Sequence, residues 1–414
     1  MITTCQINKK RLWDSLMELG EIGADPAKPE EGVTRLSLSL EDLKAREFTI
    51  NYMEKAGLEV RVDAVGNIIG KFAGKDPLAP IVIAGSHIDT VIQGGKFDGA
   101  LGVFGAIEAV RSIKESGISL THSIEVVSFT DEEGTRFGTG YIGSKAIVGC
   151  LEEETFQLTD DRGISYAEAF RQAQLNPALF KEAMRKKEDV KAYVELHIEQ
   201  GRVLEDQDVA VGIVTDIQGP VWLEVTFQGF PDHAGATPMN MRRDAGLAMA
   251  ELMLVVEEIA KKHNGVGTVG KMHVEPGGVN IIPGKSVLSI DLRHVDKNSR
   301  NEMIEELYQA ISRINEKRDI SASVEIKKQV DPTSCSPEVM ELIEESCQEL
   351  KVKAIRLQCG AGHDSLMMTK LTQMGMIFVR SKNGISHNPE EWTDKEDCMI
   401  GTQVLLNTLV KLAK

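Results

Sequence analysis

Short apolar runs that stop at histidines and carboxylates constrain this chain more than any other feature. Ile81-Val82-Ile83-Ala84 leads into Gly85-Ser86-His87-Ile88-Asp89. Ile124, Val126, Val127 and Phe129 lead into Asp131-Glu132-Glu133-Gly134, and Tyr193-Val194-Glu195-Leu196 leads into His197-Ile198-Glu199-Gln200-Gly201. Apolar runs of this length bounded by glycine read as buried strands. Open α/β sheets place their sites beyond the carboxyl ends of their strands. Each run therefore delivers its polar tail to the same edge of a sheet. Asp98 follows in Gly94-Gly95-Lys96-Phe97-Asp98-Gly99, a turn whose glycines let backbone approach a ligand closely. Adjacent acids repel, and acids and histidines gathered at like-built strand ends are best explained by a shared cation.

The rest of the chain fits an α/β frame interrupted once. Residues 8–22, 41–56 and 100–116 read as helices, and Gly102, Gly105 and Ala106 form a face that can pack closely on a sheet. Val60–Asp63 and Ile68–Phe72 read as a hairpin around Gly66-Asn67. Residues 150–190 read as charged and helix-like. Between 216 and 330 the pattern becomes strand, helix, strand, strand, helix, strand, which predicts a small ferredoxin-like α+β sandwich. Gly-rich joints at 212–219 and Asp331-Pro332-Thr333-Ser334 bracket it. The expected organisation is a catalytic domain in two parts, 1–215 and 331–414, with 216–330 inserted.

Composition narrows the partners. A formal charge of −16 disfavours nucleic acid and anionic membrane surfaces. No apolar run approaches the ~20 residues of a membrane span, and the first nineteen residues do not read as a signal peptide. Six scattered cysteines without a Cys-x-x-Cys pair suit reduced thiols in a cytoplasm.

The strand-end ligand candidates are His87, Asp98, Glu133, His197 and His387. Five N/O ligands exceed a tetrahedral single site and fit two ions if a carboxylate is shared. Glu132 is then free to act as general base, because neighbouring residues at a strand end point in different directions. Such a donor set accepts zinc, manganese, cobalt or nickel.

This succession, with a ferredoxin-like insert, resembles the dinuclear metallohydrolases of the aminoacylase and glutamate-carboxypeptidase type. Gly85-Ser86-His87-Ile88-Asp89-Thr90, His197-Ile198-Glu199-Gln200-Gly201, Asp232-His233-Ala234-Gly235-Ala236-Thr237-Pro238-Met239 and Gly360-Ala361-Gly362-His363-Asp364 resemble its hydantoinase/carbamoylase branch. The resemblance implies two divalent ions per subunit, Asp98 bridging them, His87 and His197 completing one site, Glu133 and His387 the other. It implies that Asp89 orients His87, that Glu132 moves the proton, and that His233 stabilises the oxyanion from a partner subunit. Asn280 and Arg293 would hold a substrate carboxylate, while Gln200 and the Gly360 backbone would meet a ureido group. The insert would serve as lid and homodimer interface. The implied activity is hydrolysis of N-carbamoyl-L-amino acids to the amino acid, carbon dioxide and ammonia, with allantoate hydrolysis as the alternative and an inactive metal-binding relative as a distant one. The apolar Trp222 beside Gly219-Pro220-Val221 favours an amino-acid side chain over a second ureido group.

Overall fold

The computed structural model describes residues 5–414. In chain order its strands are β1 (Glu59–Val62), β2 (Ile68–Phe72), β3 (Ile81–His87), β4 (Ile124–Phe129), β5 (Val190–Ile198), β6 (Val211–Ile217), β7 (Gly219–Gln228), β8 (Val266–Glu275), β9 (Lys285–His294), β10 (Ser321–Gln329), β11 (Thr333–Ser334), β12 (Ala354–Cys359) and β13 (Gln373–Val379). The chain folds as two compact units: one runs to Thr215 and resumes at Cys335, and the other is Asp216–Ser334.

The first unit is built on a mixed sheet in the order β1-β2-β4-β3-β5-β13-β6, with β12 also paired to β6. Its centre is parallel: β4 with β3, β3 with β5, and β5 with β13. β2 joins β4 antiparallel, and β6 joins β13 antiparallel. Strands covered on both faces read as continuous apolar runs, and β3 and β4 are buried along nearly their whole length. The helix Ala100–Glu115 lies close against the sheet because Gly102 lacks a side chain. A Cβ there would stand 2.4 Å from the Leu196 carbonyl oxygen and 2.6 Å from Ser86 Cβ. The helix Lys395–Ala413 adds Val404, Leu405 and Leu409 to the same core. Each such side chain contributes roughly 1.5–3 kcal/mol by leaving water.

Two stretches differ from expectation. The 212–219 joint is largely strand, since Val211, Ile213, Val214 and Ile217 are buried and Gly212 is the point where the Leu357 side chain packs. Residues 150–190 hold only one α-helix, Tyr166–Gln172, among 3-10 turns. Pro177 halts helix propagation, and the segment is fixed instead by an aromatic cluster of Phe137, Phe156, Tyr166, Phe170 and Phe180.

The second unit is a four-stranded antiparallel sheet, β10-β7-β9-β8. Alternation along β7 and β9 sends Val221, Leu223, Val225, Phe227, Leu288, Ile290 and Leu292 to one face. The helices Ala245–His263 and Lys297–Arg318 cover that face with Leu252, Val256, Met303 and Leu307. Asp244 caps the first helix and Asp296 the second. The period of 2 places Trp222, Asp291 and Arg293 on the opposite sheet face.

Candidate metal centre

The site grows from the carboxyl ends of the four parallel strands. His87 ends β3, His197 lies one residue before the end of β5, Asp131-Glu132-Glu133 follows β4, and His387 lies in the loop after β13. Chain connectivity runs outward in both directions from β3 and β5, so the crevice is a topological switch point. Gly99 opens the helix behind it at φ 65°, and a Cβ there would stand 2.5 Å from the His87 ring. Only glycine fits both demands.

Asp98 is the hub. Its Oδ1 lies 3.2 Å from His197 Nε2 and 4.0 Å from His87 Nε2. Its Oδ2 lies 3.1 Å from His387 Nε2, which is itself 3.5 Å from Glu133 Oε1. His87, Asp98 and His197 thus form one group able to hold a cation, and Asp98, Glu133 and His387 form another. Both buried rings are oriented from behind. His87 Nδ1 donates to the Asp89 carbonyl at 3.0 Å, and His197 Nδ1 donates to the Ile198 carbonyl at 2.9 Å. A carbonyl can only accept, so each Nδ1 carries a proton and each Nε2 faces the centre, where it would offer its lone pair to a bound cation. His197 Nε2 and Glu132 Oε1 are buried without a hydrogen-bond partner among the described residues. Orphaned donor atoms beside clustered carboxylates are what a divalent cation would satisfy, and the residues fit one.

The electrostatics agree. Burial, then Glu133, Asp364 and Asp89, push the Glu132 carboxyl well above its usual range. Burial and Asp98 do the same to Glu133. Burial drags His87 down to about 4. Burial would also lower His197, but Asp98 outweighs it and holds that ring up to about 9. Asp98 itself lies well below the usual carboxylate range because His197 and His387 overcome its burial. Carboxylates crowded this closely disfavour their own charge, and a cation reverses that.

Asp89 meets His87 with its backbone rather than its side chain. Its carboxylate is 3.7 Å from His87 Nδ1, beyond hydrogen-bond reach, and the backbone carbonyl orients the ring instead. The carboxylate accepts the backbone N–H groups of Glu132 at 3.3 Å and Glu133 at 3.2 Å. The physical reason is the tight turn after β4, whose amides point back toward β3. Gln200 Nε2 donates to Asp98 Oδ2 at 3.0 Å, and its Oε1 is buried and unpartnered among the described residues. Glu199 turns away to cap Val203 and Leu204. Gly360 is exposed in the loop after β12, with open space where a side chain would be. His363 is buried beside His197, their ring centroids 4.2 Å apart. Glu195 is held by Ser86, Tyr193 and Ser365. Glu391 and Ser386 were not legible as site residues. Glu391 accepts the Phe97 and Asp98 amides, and Ser386 contacts both Glu391 and Asp98.

The remaining candidates lie in the second unit, in two separate places. His233 bridges Ile281, and Ala234 N–H donates to the Asn280 carbonyl at 2.9 Å, so His233 and Asn280 are neighbours. His233 Nδ1 accepts from Gly235 and Ala236, which leaves Nε2 as the protonated, outward donor of the neutral ring. Trp222 pairs with Asp291 across β7 and β9, two residues from Arg293. Asp291 binds the Arg293 guanidinium at 2.6 Å, and the Lys328 ammonium sits 4.6 Å over the Trp222 ring. His233 and Asn280 lie beyond the Lys285 end of β9 while Arg293 is near its other end. At ~3.3 Å per strand residue the two pairs stand roughly 25 Å apart. Asn280 and Arg293 of one chain therefore cannot grip the same carboxylate.

A model of peptidase family M20/M25/M40 matches residues 83–411. The chain is 45% identical over 409 residues to an N-carbamoyl-L-amino acid amidohydrolase of Geobacillus stearothermophilus, covering 99% of each. It is 40% identical to a ureidoglycolate hydrolase of Arabidopsis thaliana, over 96% of this chain and 85% of that one. Among solved structures, a hydantoinase/carbamoylase family amidase from Burkholderia multivorans superposes with a TM-score of 0.92 at 34% identity, over 99% of both chains.

Proposed function

The chain belongs to peptidase family M20/M25/M40, and from that premise we propose that it hydrolyses the carbamoyl C–N bond of N-carbamoyl-L-amino acids to the L-amino acid, carbon dioxide and ammonia. One observation carries the metal part of this reading: the two oxygens of Asp98 face different histidines, Oδ1 toward His197 and His87, Oδ2 toward His387. A carboxylate so placed suits two divalent ions per chain, with zinc, manganese, cobalt and nickel all matching the donors. Bound there, such ions supply Lewis acidity and lower the pKa of water near neutrality.

The protein groups then divide the work. Glu132, buried with a free Oε1 3.8 Å on its other oxygen from His87 Nε2, takes the proton of the attacking water and returns it to the departing nitrogen. Asp89 holds the turn that aims it. Gln200 offers Oε1 to an N–H of the ureido group. Arg293 binds the substrate carboxylate, and Trp222 on the same sheet face meets an apolar side chain. His233 donates Nε2–H to the developing oxyanion. The separation of His233 and Asn280 from Arg293 favours a homodimer in which the second unit acts as lid and each site draws residues from both chains. No helix among the described residues is long and apolar enough to cross a membrane, and six unpaired cysteines suit a cytoplasmic setting.

The deciding experiment measures ammonia release from N-carbamoyl-L-methionine, allantoate and ureidoglycolate by manganese- or zinc-loaded protein, with a chelated control. Preference for the first, abolished by chelation, supports the proposal. Preference for either ureide keeps the metal chemistry and removes Trp222 from the specificity argument.

A further inference from the structure

Glu391 is a buried carboxylate, 3% exposed, that no step above uses. Each of its oxygens is committed. Oε1 accepts the backbone N–H of Phe97 at 2.9 Å and of Asp98 at 3.1 Å. Oε2 is 2.9 Å from Ser386 Oγ, which in turn is 3.2 Å from Asp98 Oδ2. Gln200 Nε2 completes the ring with contacts to Ser386 Oγ at 3.3 Å and Asp98 Oδ2 at 3.0 Å. The loop leaves room for this carboxylate at Gly95, where a Cβ would stand 2.1 Å from it.

The connectivity gives this ring a purpose. Ser386 immediately precedes His387, whose backbone sits at φ 54° in a loop with a half-exposed side chain. Among the described residues no strand pairs with that loop, whereas His87 and His197 are carried by strands β3 and β5. Glu391 fastens the peptide that bears Asp98 to the residue beside His387. A ligand on a loop is only as well placed as the bonds that hold the loop.

We propose that Glu391, acting through Ser386, is a positioning residue that sets the affinity of the Asp98–Glu133–His387 ion site while leaving the His87–Asp98–His197 site largely alone. The inference rests on the two-ion reading above.

The test is metal binding by chelator competition with zinc, and with cobalt followed by its absorption spectrum, on full-length metal-stripped protein. Wild type is expected to take two ions. Glu391→Gln and Ser386→Ala should each keep one site at wild-type affinity and weaken the other by about 10–100-fold. The weakened site should be the one that His387→Ala removes. Thermal melts report whether each variant folds, and Ser386→Ala, which deletes one hydroxyl, decides the matter if Glu391→Gln does not fold. Two unchanged sites in the folded variants, or equal weakening of both, would overturn the proposal. Wild type that takes no more than one ion overturns the two-ion reading and this inference with it, before any variant is compared.

Discussion

His233 and Arg293 stand at opposite ends of one four-stranded sheet, with β9 running from Lys285 near the first to Arg293 near its far end. A small substrate cannot touch both from a single chain. If the site is shared across a homodimer, two dead variants should complement each other. His233→Ala and Arg293→Ala, each inactive alone, form one intact site per mixed dimer. Coexpression should restore about a quarter of wild-type activity if the chains pair at random in a two-fold dimer. No recovery in a mixture shown to contain mixed dimers would mean that His233 and Arg293 do not serve one site.

Glu132 is buried beside His87 with an oxygen left free. Glu132→Gln keeps the shape and removes the base. Turnover should fall by roughly 10²–10⁴-fold, with metal content unchanged by elemental analysis. A variant with near-normal kcat would show that another group moves the proton.

Much of this candidate centre was legible because the side chains that cluster there follow apolar strands. His87, Glu133 and His197 announce themselves by position, and the strand–helix–strand pattern of 216–330 by its period. What escaped lies where tertiary contacts override local pattern. Gly212 reads as a joint but is the place where Leu357 packs against a strand. Residues 150–190 carry helical composition, yet Phe156, Tyr166 and Phe180 converge and hold turns instead. Glu391, four residues after His387 in a polar loop, looks like a solvated acid. Only the fold reveals that two amides of a distant turn point at it.

Asp89 holds the Glu132 and Glu133 amides with its carboxylate and His87 with its carbonyl. Asp89→Asn replaces one acceptor by a donor that faces an N–H, which should cost about 1–3 kcal/mol of stability. kcat should fall because the base turn loosens, while the ion site containing His87 retains its affinity. Weakened metal binding at that site with unchanged stability would instead assign the carboxylate to the ring.

Metal removal should make stability sensitive to pH in a defined direction. In the metal-free fold, burial and neighbouring acids raise Glu132 and Glu133 well above the usual range, and burial with Asp98 lifts Glu391 to about 7. A carboxyl raised in the folded state favours folding while protonated, so its contribution is lost as pH rises through the folded value. His87, held at about 4, acts in the opposite sense, but its effect is half spent at the ordinary histidine value near 6.5 and fades within about one pH unit above it. Between pH 6.5 and 8 the raised acids outweigh what remains of that effect, joined by His197, whose ring Asp98 holds up to about 9 and whose stabilising proton is likewise lost as pH rises, and Glu391 alone should account for about 1 kcal/mol. Melts of chelated protein should therefore show Tm falling across that window. Manganese- or zinc-loaded protein should lose less, because the ions compensate the charges, so the gap between the two curves widens with pH. A chelated protein whose Tm stays level or climbs from pH 6.5 to 8 would mean that these carboxyls do not hold protons in the metal-free fold.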